Sequence, residues 1–201
     1  MPVVGVWLGG DGPSEIGDRD RKGARVGTIE ALLTRIRATG WHVAGATQWR
    51  HIRKFKVGAA RGRRNHGDIH NVAGLVNQAF EAGAGVVAFA RDIDAEPSRV
   101  EAINLGIAFA MALFQDIEII GGPAMPALEG WIVALLNIRG SDGMSRQRAN
   151  ETLEARDLGG KSAEAYVSVV ESADLDRLPP GCDSLTEWLA KAREVLSRVA
   201  R

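Results

Sequence analysis

The chain has 201 residues and a formal net charge of zero, with 45% hydrophobic and 25% charged side chains. This length suits one domain, or one domain with a small appendage, and the composition excludes a disordered or fibrous chain. The single cysteine, Cys182, cannot form an internal disulfide, which indicates a reducing compartment. Residues 3–8 are too short for a signal peptide, and no apolar run is long enough to cross a membrane. We therefore expect a cytoplasmic protein without a membrane partner.

The chain begins with a predicted strand, helix and strand. Residues 3–8 are apolar and end at glycines, which is typical of a buried strand. Residues 24–39 carry apolar side chains at helical spacing, and Gly40 is placed to stop that helix. Residues 41–47 alternate as a second strand does.

The middle of the chain predicts a helix, a strand and a second helix. Apolar side chains at residues 72–80 have helical spacing, and Asp68 or Asn71 is the expected cap. A strand follows at residues 85–90. Residues 98–114 are apolar on nearly every side, which indicates a well-buried helix.

The last part of the chain predicts a strand, a helix, a polar segment and a final helix. Residues 117–120 predict a short strand that stops at a glycine pair, and Pro126 begins another helix. Residues 141–160 are polar and contain glycine, as in a lid or a connection. Ser184 and Glu187 have capping-box spacing before a last helix, whose apolar stripe would face either the core or a second subunit.

This order of elements predicts the fold class. Strands alternate with helices, and the strands are apolar without strict polar alternation, as parallel strands covered on both faces are. We expect a three-layer, Rossmann-like α/β domain with a mostly parallel central sheet at residues 1–138. Residues 139–201 are expected to form a C-terminal helical extension packed on it. The oligomeric state stays open.

Acidic side chains follow two of the predicted strands. Asp11 and Glu15 come after the first strand, and Asp92 and Asp94 come after the third. Ligands of open α/β sheets bind outside the carboxyl ends of the strands, so these acids are expected to converge. Asp92 and Asp94 would face the same side of an extended backbone, and carboxylate oxygens suit Mg²⁺ or Mn²⁺. The alternative is that they cap helices or form turns.

A basic segment lies in an interval without any acidic residue, from residue 31 to residue 67. Its cations can neutralise a nucleic-acid backbone, and Trp49 and Phe55 between them can stack on a base. The alternative is a solvated loop or a patch that pairs with acids of this chain. The predicted nucleic-acid-binding residues are Arg50, Arg53, Lys54, Lys56, Arg61, Arg63 and Arg64.

These motifs resemble those of Toprim domains. The Asp-Gly-Pro-Ser-Glu sequence at residues 11–15 is similar to the Glu-Gly-Pro-Ser/Thr-Glu turn that opens Toprim domains of the OLD-family nuclease branch. Residues 92–94 are similar to their Asp-x-Asp motif. Residues 126–132 resemble the Glu-x-Trp helix of the small, standalone Toprim-like bacterial proteins of unknown function. In those proteins a lysine, a tyrosine and a last helix follow, as Lys161, Tyr166 and Trp188 do here.

The resemblance implies a Toprim-type fold and a divalent-metal-dependent nuclease or nucleic-acid-processing protein, with a role in bacterial defence or DNA maintenance. It implies Asp11, Asp92 and Asp94 as the acids that bind Mg²⁺ or Mn²⁺, and Glu15 and Glu129 as further catalytic candidates. Metal ions in such an enzyme would orient the phosphodiester, activate a water and stabilise the leaving oxygen. The other interpretation of Glu129 is a solvated side chain on an amphipathic helix.

One difference from the family pattern favours an alternative function. Asp11 stands where the family has glutamate, so the chain could be a catalytically inactive Toprim-like binding or regulatory module that partners an ATPase. A third hypothesis is a different phosphoryl-transfer or nucleotide-binding α/β enzyme.

Overall fold

A sheet of four parallel strands organises the part of the chain that the structure describes. The structure is a computed structural model that describes residues 3–18, 25–56, 58, 62, 66–94, 96–160 and 162–199. The strands are β1 (Val4–Gly10), β2 (Trp41–Gln48), β3 (Val86–Asp92) and β4 (Glu118–Ala124). They lie in the order β2-β1-β3-β4, and every neighbouring pair is parallel.

Helices cover both faces of this sheet. Those in the described ranges are α1 (Pro13–Ile16), α2 (Thr28–Ile36), α3 (His66–Glu81), α4 (Ser98–Leu113), α5 (Leu128–Leu135), α6 (Arg146–Glu154), α7 (Ala163–Ser172) and α8 (Asp183–Arg198). Short 3-10 turns lie at Trp49–His51 and Ser141–Gly143. No helix among the described residues is both long enough and apolar enough to cross a membrane.

Alternate side chains of the strands supply two apolar cores. On β3, Val86 and Ala88 join the core that contains α2, α5, α7 and α8, whereas Val87 and Phe89 join the core that contains α3 and α4. The alternation follows from the period of two in a strand, and burial on both faces explains the unbroken apolar sequence. The predicted three-layer, Rossmann-like α/β fold with a parallel sheet is confirmed.

The helices after residue 138 share the first of these cores. Trp188 of α8 donates its indole N–H to the carbonyl oxygen of Phe89 in β3, at 2.9 Å. Trp131 of α5 donates to the Ser184 hydroxyl, also at 2.9 Å, and that hydroxyl donates to Asp142. The apolar stripe of α8 therefore faces the chain's own core.

Two predicted helix caps are wrong. Helix α3 begins at His66, so Asp68 and Asn71 lie inside it, where Asp68 accepts hydrogen bonds from other elements. Helix α8 begins at Asp183, so Ser184 lies inside it, and the backbone N–H and hydroxyl of Ser184 both donate to Asp142.

Other element bounds also differ from prediction. Strand β4 continues through the glycine pair, because Gly121 provides space for a neighbouring ring: a Cβ there would lie 2.0 Å from Phe89. Helix α2 begins only at Thr28, since the backbone of Gly27 packs directly against that of Glu15. Helix α6 lies in the predicted polar connection, and its few buried apolar residues explain why it gave no helical signal.

Candidate functional site

An open cleft of about 660 Å³ lies at the carboxyl ends of β1 and β3. It is bordered by the turn after β1, by the last residue of β3, by the first residue of α6 and by the first turn of α7. This is where ligands of open α/β sheets bind, because loops and helix N-termini converge there. Its acidic lining residues are Asp11, Glu15, Asp18, Asp92 and Glu164.

The turn after β1 buries Glu15 at the wall of the cleft. Gly12 caps α1 with an extended backbone, and Pro13 begins the helix, where its fixed φ angle fits and its missing N–H costs nothing. The Glu15 carboxylate reaches back to accept the N–H of Gly12, as in a capping box. Gly10 must be glycine here, since a Cβ would lie 2.6 Å from that of Glu15.

Asp92 is the centre of the acidic group. It is the last residue of β3 and is only 4% exposed. Its Oδ1 accepts the N–H of Leu128 at the start of α5, at 2.9 Å, and its Oδ2 lies 3.1 Å from Nη2 of Arg146. Helix α5 thus places the positive end of its dipole at this carboxylate.

Asp94 lies at the rim of the same group. Its backbone has a φ of 53°, and its side chain is 37% exposed and contacts Arg99 at 3.0 Å and Arg146. The expectation that Asp92 and Asp94 project from one extended backbone is wrong, because β3 ends at Asp92. The two carboxylates are bridged instead by the guanidinium of Arg146.

Asp11 is paired with an arginine of the neighbouring strand. Nη1 of Arg91 lies 2.5 and 2.6 Å from its two carboxylate oxygens. The same guanidinium lies 3.4 Å from Asp68 and 5.2 Å from the ring centre of Trp49. Arg91 is only 12% exposed, so it is a fixed charge within the site.

Glu129 is buried at the start of α5, with 3% of its surface exposed. Its Oε2 lies 3.8 Å from Nη2 of Arg146. The interpretation of Glu129 as a solvated surface residue is therefore wrong. It adds a further negative charge beside Asp92.

Burial, together with the charges of neighbouring acids, raises the pKa of two carboxyls in this group. Burial and the nearby charge of Asp92 raise the pKa of Glu15 from its usual 4.5 to about 8. Burial, Asp11 and Glu129 raise the pKa of Asp92 from 3.8 to about 6. Burial, with the charges of Glu129 and Glu15, also raises the pKa of the Tyr166 phenol. Clusters of this kind are enriched at functional sites, and a bound cation would relieve the repulsion.

The donor atoms, but not their present positions, fit a hard divalent cation. Carboxylate oxygens are the ligands that Mg²⁺ and Mn²⁺ prefer. Among the described residues, however, no three acidic, histidine or cysteine side chains come together in an arrangement that would hold a metal ion. The guanidinium groups of Arg91 and Arg146 lie among the carboxylates instead. Metal binding by Asp11, Asp92 and Asp94 stays a prediction, and it would require these ion pairs to rearrange.

Several residues of the site were missing from the sequence prediction. Arg91 could have been found from the sequence, because it directly precedes the predicted Asp-x-Asp motif. Arg146 is distant from the acids in sequence and lies in the segment predicted as a lid or a connection, whereas Asp68 was predicted as a helix cap. The residues that contact the acidic group or its arginines, and that were not predicted in this role, are Arg91, Arg99, Arg146, Asp68 and Trp49.

The basic segment is only partly described. Arg50, Arg53, Lys54 and Lys56 belong to the described residues and, apart from the Arg53 pair with Glu81, present exposed cations. Arg61, Arg63 and Arg64 lie outside the described residues.

The two aromatic residues of that segment pack within the protein. Trp49 is 5% exposed and donates its indole N–H to Asp68, so its predicted stacking on a base is wrong. Phe55 is half-buried and contacts the edge of the Phe114 ring.

Comparison with known proteins gives no relative from which a function could be transferred. No protein-family model matches the chain, no curated protein matches it, and no solved structure matches it. The function must therefore be argued from the residues of the site.

Proposed function

We propose that this chain is a divalent-metal-dependent phosphodiester hydrolase that acts on nucleic acid, of the Toprim type that its motifs resemble. The observation that supports the proposal is the group of acids at the carboxyl ends of β1 and β3, beside an open cleft and interleaved with arginines. The acids suit a hard cation, and guanidinium groups suit a phosphate. The site therefore offers groups of both kinds for phosphoryl chemistry.

Each group in the site has a role in this proposal. Asp11, Asp92 and Asp94 would hold Mg²⁺ or Mn²⁺, which would polarise the phosphodiester and lower the pKa of a water. Arg146 would exchange its contacts with the carboxylates for contacts with the phosphate. Burial and the charge of Asp92 raise the pKa of Glu15 to about 8 in the metal-free chain, so Glu15 would hold a proton at neutral pH and would deliver it to the leaving oxygen.

The direct test of this function is an assay of hydrolysis with and without metal. Single-stranded and double-stranded DNA and RNA, together with bis(p-nitrophenyl) phosphate, would be incubated with Mg²⁺, with Mn²⁺ or with a chelator. We expect cleavage that requires the metal. A complete lack of metal-dependent cleavage of every substrate would refute the proposed function.

A second candidate function is a catalytically inactive module that binds or regulates a partner such as an ATPase. The observation that favours it is the position of Arg146, whose guanidinium bridges Asp92 and Asp94 and lies near Glu129. A built-in cation there can neutralise the acids without any metal. In this function the charge network would stabilise a binding surface.

Replacing Arg146 with glutamine separates the two functions. Removal of the guanidinium increases the negative potential at Asp92, so we expect the variant to bind Mn²⁺ about tenfold more tightly than the wild type does. Calorimetric titration with MnCl₂ measures this change. The matched control is Arg148→Gln on the same helix, where the side chain is 69% exposed and pairs with Glu151.

The pattern of Mn²⁺ binding distinguishes the outcomes. Specific binding by the wild type, strengthened in Arg146→Gln, supports the hydrolase. Binding by the variant alone supports the inactive module, in which Arg146 has replaced the metal. If neither protein binds Mn²⁺, the acids do not form a metal site.

A further inference from the structure

A second cavity adjoins the acidic cleft on the side of β2, and we call it the β2 cavity. Its volume is about 300 Å³, and it shares Pro13 and Asp18 with the acidic cleft. Gly10 at the end of β1 pairs with Gln48 at the end of β2, so the ends of the two parallel strands lie side by side. The β2 cavity therefore continues the acidic cleft along the same edge of the sheet.

The walls of the β2 cavity combine polar donors with an apolar surface. Gln48 and Arg50 line one side, and Nε of Arg50 donates to Oε1 of Gln48 at 3.1 Å. This bond orients the amide NH₂ of Gln48 and the outer guanidinium N–H groups of Arg50 as donors. Pro13, Ile16 and Ala46 supply apolar surface.

These groups match the parts of a nucleotide. The amide of Gln48 can hydrogen-bond the edge of a base, and the exposed guanidinium of Arg50 can contact a phosphate. A base can pack on the apolar surface, although Trp49 is buried and cannot stack on it.

We propose that the β2 cavity binds the nucleotide next to the phosphodiester that reacts in the acidic cleft, and that the strand it accepts is single. The inference rests on the proposed function, because it takes the acidic cleft as the place of reaction. A cavity of about 300 Å³ is at the small end of ligand sites, so it suits one unpaired nucleotide rather than a base pair. A base held there is removed from any duplex stack.

A comparison of nucleotide lengths tests this proposal. Binding of 5′-phosphorylated thymidine mononucleotide and dinucleotide would be measured by calorimetry, with Ca²⁺ in place of Mg²⁺ to prevent turnover. We expect the dinucleotide to bind about tenfold more tightly, since the second base and phosphate would enter the β2 cavity. A dinucleotide that lacks its second base should lose most of that gain.

Substitutions in the β2 cavity test whether the tighter binding of the dinucleotide arises there. Arg50→Ala and Gln48→Glu are each expected to remove the preference for the dinucleotide, because the first deletes the phosphate contact and the second places a negative charge near it. The control is Arg177→Ala, which removes one exposed positive charge on the turn between α7 and α8, outside both cavities. The control should keep the tenfold preference.

Failure of this inference is distinguishable from failure of the proposed function. Equal affinity for the two nucleotides, or a preference that survives in either Arg50→Ala or Gln48→Glu, would overturn the role of the β2 cavity. Hydrolysis of bis(p-nitrophenyl) phosphate, which has no neighbouring nucleotide, reports on the acidic cleft alone. A dinucleotide preference that both substitutions remove supports nucleotide binding in the β2 cavity, even where that hydrolysis assay refutes a reaction in the acidic cleft.

Discussion

Replacing Asp92 with asparagine is expected to abolish metal-dependent hydrolysis, with a fall in kcat of about a thousandfold or more. Asp92 is the carboxylate on which the other groups converge: the N–H of Leu128, the guanidinium of Arg146 and the charges of Asp11 and Glu129. Asparagine keeps the shape and can still accept the N–H of Leu128, but it loses the charge that would hold the metal. Steady-state kinetics on a polynucleotide substrate measure the loss.

Matched substitutions show whether the loss is specific to the centre of the site. Asp94→Asn should lower kcat less than Asp92→Asn, because Asp94 lies at the rim and is 37% exposed. Asp116→Asn changes an exposed acid between α4 and β4 and should leave kcat unchanged. Thermal unfolding would confirm that each variant is folded. An Asp92→Asn variant with wild-type kcat would show that the reaction does not take place in the acidic cleft.

The convergence of the acids could be predicted from sequence because it depends mainly on topology. Short apolar runs identified β1 and β3, and parallel strands bring the residues that follow them to one edge of the sheet. Asp11, Glu15 and Asp92 are there. The conformation of Asp94 was not predictable in this way, since it depends on where β3 ends and on a left-handed backbone in the next turn.

The charge balance of the site could not be predicted, because it depends on contacts between distant segments. Arg146 reaches Asp92 from a helix whose polar sequence carries no strong apolar period. Arg91 was adjacent to the predicted acids, but only the packing of β3 beside β1 shows that it pairs with Asp11. Likewise, an aromatic residue in a basic segment is expected to be exposed, whereas Trp49 packs in the core and donates its indole N–H to Asp68.

The raised pKa values of Glu15 and Asp92 make folding sensitive to pH. Both carboxyls bind protons more tightly in the folded chain than their usual values of 4.5 and 3.8 imply. As pH rises from about 4, the unfolded chain loses these protons first, so it binds fewer protons than the folded chain and the free energy of unfolding falls. The fall continues until the folded pKa values, about 6 and about 8, have been passed.

Replacing Glu15 with glutamine is therefore expected to stabilise the metal-free protein at pH 8, by on the order of 3 kcal/mol, and to change it little at pH 4. Glutamine can still accept the N–H of Gly12 but carries no charge to bury beside Asp92. Urea unfolding in the presence of a chelator, repeated across this pH range, measures the difference. Glu164→Gln alters an exposed acid of the same cleft and should show no such gain. If Glu15→Gln is no more stable than the wild type at pH 8, burial of Glu15 does not oppose its ionisation, and Glu15 cannot hold the proton that its proposed role as general acid requires.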